Sequence, residues 1–235
     1  MPCYNPLEAY IAPGKTDKGK KQIVWKRKDG LTPINLPCGQ CIGCRLNRSV
    51  MWATRCMHEA QLYDDNCFIT LTFDEEHLPQ DYSLNHDYFQ KFMKRLRKEI
   101  YPRKVRYFMC GEYGDDTWRP HFHAILFNWD FPDKIKYSVT GNENPYFISE
   151  QLYRLWPFGF HLIGELTFET AAYVARYCVK KITGDDAEAH YNRIITDWNE
   201  VTGEITFMKE VSLLPEYARM STNPGIGYDW LKKYK

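Results

Sequence analysis

Arg119-Pro-His-Phe-His-Ala-Ile-Leu-Phe127 is the stretch on which the reading of this chain turns. Its composition favours a β-strand, and on a strand side chains alternate between faces. His121 and His123 therefore share one face, with Ile125 and Phe127 beyond them. Two imidazoles about 7 Å apart along one strand face can converge on a single cation. The preceding run Val105–Glu112 also reads as a strand, and the polar segment Tyr113–Pro120 joins the two as a hairpin. If the hairpin pairs Glu112 opposite His121 or His123, its carboxylate joins the same face. Two nitrogens, one oxygen and open positions compose a catalytic metal site rather than a closed structural one.

Outward from the hairpin, Phe68-Ile-Thr-Leu-Thr-Phe73 alternates with period two and is rich in strand formers. Arg45–Tyr63 lacks Gly and Pro and places Leu46, Val50, Ala53, Met57 and Ala60 at helical spacing. Asn85–Ile100 is an amphipathic helix with Tyr88, Phe89, Phe92, Met93, Leu96 and Ile100 on its apolar side. The spacing also predicts an irregular insertion over Asn128–Gly141, a short helix over Tyr146–Trp156, a strand over Phe158–Leu166 and a strand over Ile205–Met208. A helix is expected from Phe168 to Ile182, N-capped by Thr167. The expected class is α+β: an antiparallel sheet with helices on one face.

In the helix that follows, Ala171-Ala-Tyr-Val-Ala-Arg-Tyr-Cys-Val-Lys-Lys181, the apolar stripe is Ala171, Ala175, Cys178 and Ile182. Tyr173, Tyr177, Lys180 and Lys181 lie roughly opposite, at i, i+4, i+7 and i+8. A phenol is a poor nucleophile at its ordinary pKa of ~10 and needs a nearby cation or base. A lysine one turn away supplies part of that field and can hold a phosphate.

A third constellation is Cys38-x-x-Cys41-x-x-Cys44, three thiols without a local fourth ligand. The spacing suits a tetrahedral zinc site, and ferredoxin-type iron–sulfur runs share it. Cys56, Cys67, Cys110 and Cys178 are scattered and read as core residues.

The gross numbers set bounds. At 235 residues and 44% hydrophobic, the chain can bury one sizeable core. Net charge is +1, so no global field draws it onto nucleic acid, but the charge is segregated. Lys15, Lys18, Lys20, Lys21, Lys26, Arg27 and Lys28 face a single acid, Asp17. A second basic run spans Lys91–Arg106, and Asp185–Glu204 is acidic. Such segregation suits one phosphate-facing side. The Lys15–Lys21 stretch reads as a loop. No apolar run is long enough to span a membrane, which leads us to expect an intracellular protein without membrane partners.

Read together and in order, these segments resemble the HUH endonuclease superfamily, and within it the replication initiators of the microviruses, small icosahedral single-stranded-DNA phages. Phe68–Phe73 looks like the first-strand motif, His121-Phe122-His123 like the His-hydrophobe-His motif, and Tyr173/Tyr177 with Lys180 like the tyrosine-helix motif. Cys110-Gly-Glu-Tyr-Gly114, Pro37-Cys-Gly-Gln-Cys41 and Asn223-Pro-Gly-Ile-Gly227 look like the microvirus subgroup, so the resemblance covers nearly the whole chain.

The resemblance implies a ferredoxin-like HUH fold over residues 1–235, with 1–45 a zinc-stabilised N-terminal arm and Cys3 as the fourth ligand. It implies Mg2+ or Mn2+ held by His121, His123 and Glu112, and nicking and rejoining of single-stranded or melted origin DNA through a 5′-phosphotyrosine. Tyr177 is the expected primary nucleophile, with Tyr173 the second and Lys180 assisting. DNA contacts are expected from Lys20, Lys21, Lys94, Arg97, Arg119 and Lys181, and host helicase and polymerase as partners, in the cytoplasm of an infected bacterium. Two alternatives remain within reach of the same residues: a non-catalytic zinc-stabilised nucleic-acid-binding module, and a relaxase or transposase of the same superfamily. A metal-dependent hydrolase, using water in place of tyrosine, is a third.

Overall fold

The structure is a computed structural model and describes residues 3–139, 145–176, 180–198 and 202–235. The chain divides into two compact units, Met1–Arg48 and Ser49–Lys235.

In the first unit, strand β1 (Leu7–Lys15) lies between β2 (Lys21–Val24) and β3 (Thr32–Leu36), antiparallel to both. The expected loop at Lys15–Lys21 is the turn of the β1–β2 hairpin. Gly19 takes φ +72°, a conformation open to glycine, and its N–H donates to the Thr16 carbonyl. Ala9 and Tyr10 are the buried residues of β1.

The second unit is built on a sheet in the order β12-β5-β6-β4-β9-β8-β7, antiparallel throughout. Its strands are β4 (Asn66–Thr72), β5 (Arg106–Tyr113), β6 (Pro120–Phe127), β7 (Ile135–Val139), β8 (Pro145–Ile148), β9 (His161–Gly164) and β12 (Tyr217–Met220). β10 (Asn192–Trp198) and β11 (Ile205–Ser212) pair as a separate ribbon.

Helices cover both faces of the sheet, not one. Helix α1 (Ile42–Ala60) buries Ala53, Cys56 and Ala60, and α4 (Phe168–Ala175) buries Ala171, Val174 and Ala175. Both pack against Phe68, Phe108, Cys110, Ile125 and Phe127. On the opposite face α2 (His86–Glu99) and α3 (Glu150–Leu155) pack against Ile69, Leu71, Met109, Phe122, Ala124 and Leu126. The central strands are apolar on both sides because both sides are covered.

Other differences have local causes. The Asn128–Gly141 segment contains β7, and the segment expected as one helix over Tyr146–Trp156 opens with β8 before α3 begins. Ser149 ends that strand and N-caps the helix, its hydroxyl accepting from Leu152 N–H. In α1 the buried side is Ser49, Ala53, Cys56 and Ala60, while Val50 is exposed. The described part of the tyrosine helix is α4, closed by Arg176. Tyr177 and Cys178 lie outside the described residues.

After the short helix α5 (Asp186–Tyr191), helix α6 covers Tyr228–Tyr234, and the Asn223–Gly227 motif before it is a latch. Gly227 takes φ +75°, and its N–H donates to Glu59 Oε2 at 2.7 Å, while Arg106 Nε donates to Glu59 Oε1 at 2.6 Å. Arg106 also donates to the Pro224 carbonyl. Glu59 is 1% exposed, so removing it strands a guanidinium with little access to water. Glu59→Ala is expected to cost about 3–5 kcal/mol in a urea titration. A loss below about 1 kcal/mol would show that solvent replaces the latch.

Candidate metal and tyrosine site

The β5–β6 register pairs Glu112 with His121, and Thr72 pairs with His121 on the other flank of β6. His121 and His123 therefore face the α1/α4 layer, with Glu112 between them on the neighbouring strand. His121 Nε2 lies 3.2 Å and His123 Nε2 3.0 Å from the same atom, Glu112 Oε1. The three side chains could hold one metal ion.

The tautomers favour this. His121 Nδ1 sits 3.1 Å from the Arg119 carbonyl, an oxygen that only accepts, so Nδ1 carries the hydrogen and Nε2 is left with its lone pair. His123 Nδ1 lies 2.9 Å from the Thr70 hydroxyl on β4, and its buried Nε2 has no hydrogen-bond partner of good geometry. An unsatisfied imidazole nitrogen beside a carboxylate is what a ligand set looks like before a cation joins it. Burial, first, and the neighbouring His121 hold the His123 pKa below its ordinary value, keeping it neutral and able to ligate. Burial pushes the Glu112 pKa up, but the two adjoining imidazoles outweigh it and hold the carboxylate well below the usual range.

Helix α4 brings Tyr173 to this cluster. Its hydroxyl donates to Glu112 Oε1 at 3.1 Å, and its ring meets the His123 ring edge-on at 4.9 Å. The side chain remains reachable, at 37% exposed. Burial and the Glu112 charge raise its pKa, so the phenol is held protonated. Lys180 Nζ lies 3.6 Å from Glu112 Oε2 and 3.2 Å from Asp115 Oδ1. Burial opposes its charge, but the two carboxylates keep the ammonium pKa above its usual value.

Thr70 and Asp115 escaped the sequence reading. Thr70 lies on the motif strand Phe68–Phe73, two residues past Phe68 and so on the same face; period two could have found it. Asp115, in a loop, left no such signal. Thr70→Val should weaken divalent-ion binding by roughly 10–100-fold by freeing the His123 ring. Titration calorimetry with manganese reads this directly, and unchanged affinity would remove Thr70 from the site.

The remaining expected residues are spread out. Lys94 and Arg97 lie exposed on α2, on the opposite sheet face from the histidines. Arg97 joins Tyr101, Arg103 and Lys104 around a groove of about 950 Å3 at the Arg106 end of β5. That end is roughly 20 Å along the strand from Glu112, at ~3.3 Å per residue. Arg119 is paired with Glu75 and donates to the Phe73 carbonyl. Lys181 is half-buried, and Lys20 and Lys21 are exposed on the first unit.

In that unit Cys3, Cys38, Cys41 and Cys44 converge with all four sulfurs within 4.8 Å of one another. Cys38 and Cys44 are 4.0 Å apart, and Cys41 and Cys3 3.8 Å. A tetrahedron with ~2.3 Å metal–sulfur bonds has an edge of about 3.8 Å. Backbone N–H groups of Tyr4 and Cys44 pointing at Cys41 Sγ pull its pKa down to about 6. Of the four cysteines expected in the core, Cys56, Cys67 and Cys110 are buried there, and Cys178 lies outside the described residues.

Residues 66–182, which carry both the histidines and the tyrosine helix, match the family described as replication-associated protein ORF2/G2P. Along nearly its whole length the chain is similar to replication-associated protein VP4 of Bdellovibrio phage phiMH2K. The two are 36% identical over 251 residues, which is 99% of this chain and 78% of the relative. The chain belongs to the replication-associated protein family. It is also similar to replication-associated protein ORF2 of Spiroplasma virus 4, 33% identical over 97% of this chain and 69% of that protein. Replication-associated protein ORF4 of Chlamydia phage 1 is 34% identical over 66% of this chain and 40% of its own length. No solved structure matches. As a microvirus-like member of this family, the chain has a role in initiating phage DNA replication.

Proposed function

We propose that this replication-associated protein nicks and rejoins single-stranded or melted origin DNA through a covalent 5′-phosphotyrosine, using an HUH-type sheet. The observation that carries the reading is the Tyr173 hydroxyl donating to Glu112 Oε1, the oxygen on which both imidazoles converge. A nucleophile touching a metal-ligand cluster is the arrangement that phosphoryl transfer to tyrosine requires.

Glu112, His121 and His123 would hold Mg2+ or Mn2+, which when bound neutralises charge on the scissile phosphate. Thr70 and the Arg119 carbonyl orient the two rings. The hydrogen bond to Glu112 Oε1 fixes the direction of the Tyr173 hydroxyl, whose proton leaves to solvent on attack, and Lys180 supplies a fixed positive charge for a phosphate oxygen. The tyrosine oxygen forms a bond to phosphorus, the P–O3′ bond breaks, and the 3′ oxygen leaves with that pair and takes a proton. The phosphodiester energy stays in the phosphotyrosine, so the reverse step rejoins the strand without ATP. Tyr173 and Tyr177 are both candidates for the attacking role. Two nucleophiles would let one hold the first 5′ end while the other attacks a regenerated origin.

Zinc is our assignment for the thiolate site, because the sulfur spacing suits one tetrahedral ion better than a cluster. Host helicase and polymerase acting in the cytoplasm of an infected bacterium complete the proposal. Among the described residues, no helix is long and apolar enough to cross a membrane.

The test is incubation of end-labelled single strands from the encoding genome with the protein and manganese, resolved on a denaturing gel. A protein–DNA adduct is expected. Cleavage without an adduct would mean that water attacks, and binding without cleavage would reduce the protein to a binding module.

A further inference from the structure

Next to the tyrosine lies a cavity of about 410 Å3 that no step of the nicking reaction uses. Its walls are apolar and aromatic: Phe68 from β4, Tyr146 from β8, the Gly164 backbone from β9, and the Tyr173 ring. Gly164 makes the space. A Cβ there would meet Phe68 Cδ1 at 3.3 Å and Tyr146 Cε1 at 3.4 Å, so any larger residue would have to push the two rings away from the strand. His123 also lines the cavity, which puts it in direct continuity with the metal cluster.

The charge of the lining decides what it takes. No Lys or Arg is among the lining residues, and two carboxylates, Glu165 and Glu169, are. A capping box already takes up two N–H groups at the start of α4. The Thr167 hydroxyl accepts from Thr170 N–H, and the Thr170 hydroxyl accepts from Thr167 N–H. A phosphate would meet two carboxylates and, among the described lining residues, no Lys or Arg. A flat group with N–H donors on its edge would instead find aromatic faces and acceptors.

We infer that this cavity receives an unstacked base of the DNA strand beside the scissile phosphate, and that Glu165 selects guanine there. Glu169 stands in the first turn of α4, where its charge complements the helix N-terminus. Glu165 is exposed and is the carboxylate left to read a ligand. Guanine alone presents two adjacent N–H donors, at N1 and the 2-amino group, matched to the two oxygens of one carboxylate. Adenine and cytosine offer an amino group beside an acceptor, and thymine offers only N3–H between two carbonyls. The inference rests on the nicking proposal for its setting but not for its test.

The test has two arms on the full chain. In the first, equilibrium dialysis compares dGMP, dAMP, dCMP and dTMP. Wild type should hold dGMP roughly tenfold tighter than dTMP, a discrimination of the size a good bidentate pair supplies. Glu165→Gln, a change at an exposed position, should bring the four nucleotides level. Tyr146→Ala should weaken all four by roughly tenfold through lost stacking. In the second arm, random single-stranded circles are treated with protein and manganese, and the DNA ends in covalent adducts are sequenced. Enrichment of G at one position beside the junction, lost in Glu165→Gln while other positions keep their preferences, is expected. Equal binding of the four nucleotides by wild type, or a guanine preference that survives Glu165→Gln, overturns the inference. A complete absence of adducts would count against the nicking proposal, while the dialysis arm would still decide the cavity.

Discussion

Replacing Tyr173 and Tyr177 together by phenylalanine is expected to lower adduct formation by at least about 10³-fold, because the step then has no nucleophile. DNA binding should stay within about threefold in a fluorescence anisotropy titration, since phosphate contacts and not the phenols carry affinity. The fold should survive. Tyr173→Phe removes one hydrogen bond to Glu112, but the carboxylate keeps both imidazoles and Lys180 beside it. The loss in a thermal melt should be no more than about 1.5–3 kcal/mol, the range for a hydrogen bond to a charged group. The single variants apportion the roles. An adduct that persists in Tyr173→Phe requires attack by Tyr177, and one that disappears makes Tyr173 the sole nucleophile. Cleavage that continues unchanged in the double variant would sink the phosphotyrosine mechanism, because only water would remain to attack.

The second large effect concerns the four thiols. The first unit spans 48 residues, has a three-stranded sheet and, among the described residues, buries few apolar side chains beyond Ala9, Tyr10 and Cys44. Units of that size seldom hold themselves together on apolar burial alone and need a staple. A structural zinc site contributes about 10–16 kcal/mol to small domains near neutral pH, far more than the apolar burial available here. Cys38→Ser, or treatment with a strong chelator, should therefore abolish amide protection across Leu7–Leu36. Hydrogen exchange read by mass spectrometry separates this from global unfolding, because β5 and β6 should stay protected. Equal protection of Leu7–Leu36 with and without the metal would show that the sheet is stable by itself. Lowering the pH should release the ion as protons compete for the sulfurs. Cys41, held at about 6 by the N–H groups that face it, should be among the last to take one up.

Much of the site was legible because strand geometry is periodic. Alternation put His121 and His123 on one face, and a hairpin of that length offered Glu112 a place opposite. A slip of one residue in the β5–β6 register would have sent the carboxylate to the other side. Helical spacing likewise separated Tyr173 from Ala171 and Ala175, which are buried, while Val174 beside them was not in the stripe. Coverage of both sheet faces is written in the same segment, where Phe122, Ala124 and Leu126 are as apolar as Ile125 and Phe127, a pattern that one-sided burial does not explain. The edge elements were harder. β7 and β8 hold good strand formers but are only five and four residues long, too short for an alternation to stand out, and the hairpin around Lys15–Lys21 is masked by lysines that its exposure permits.

By itself the sequence determined the chemistry available to this protein: two imidazoles on one strand face, phenols opposite a helical core stripe, and thiols at metal-ligand spacing. Each follows from a local repeat of 2.0 or 3.6 residues or from a short spacing. Only the tertiary structure decided which of these groups meet. Cys3 reaches Cys38, Cys41 and Cys44 across more than thirty residues of chain, Tyr173 reaches Glu112 across sixty-one, and Thr70 reaches His123 across fifty-three. Such contacts are set by strand order and by how a helix packs on the sheet, which no local period encodes.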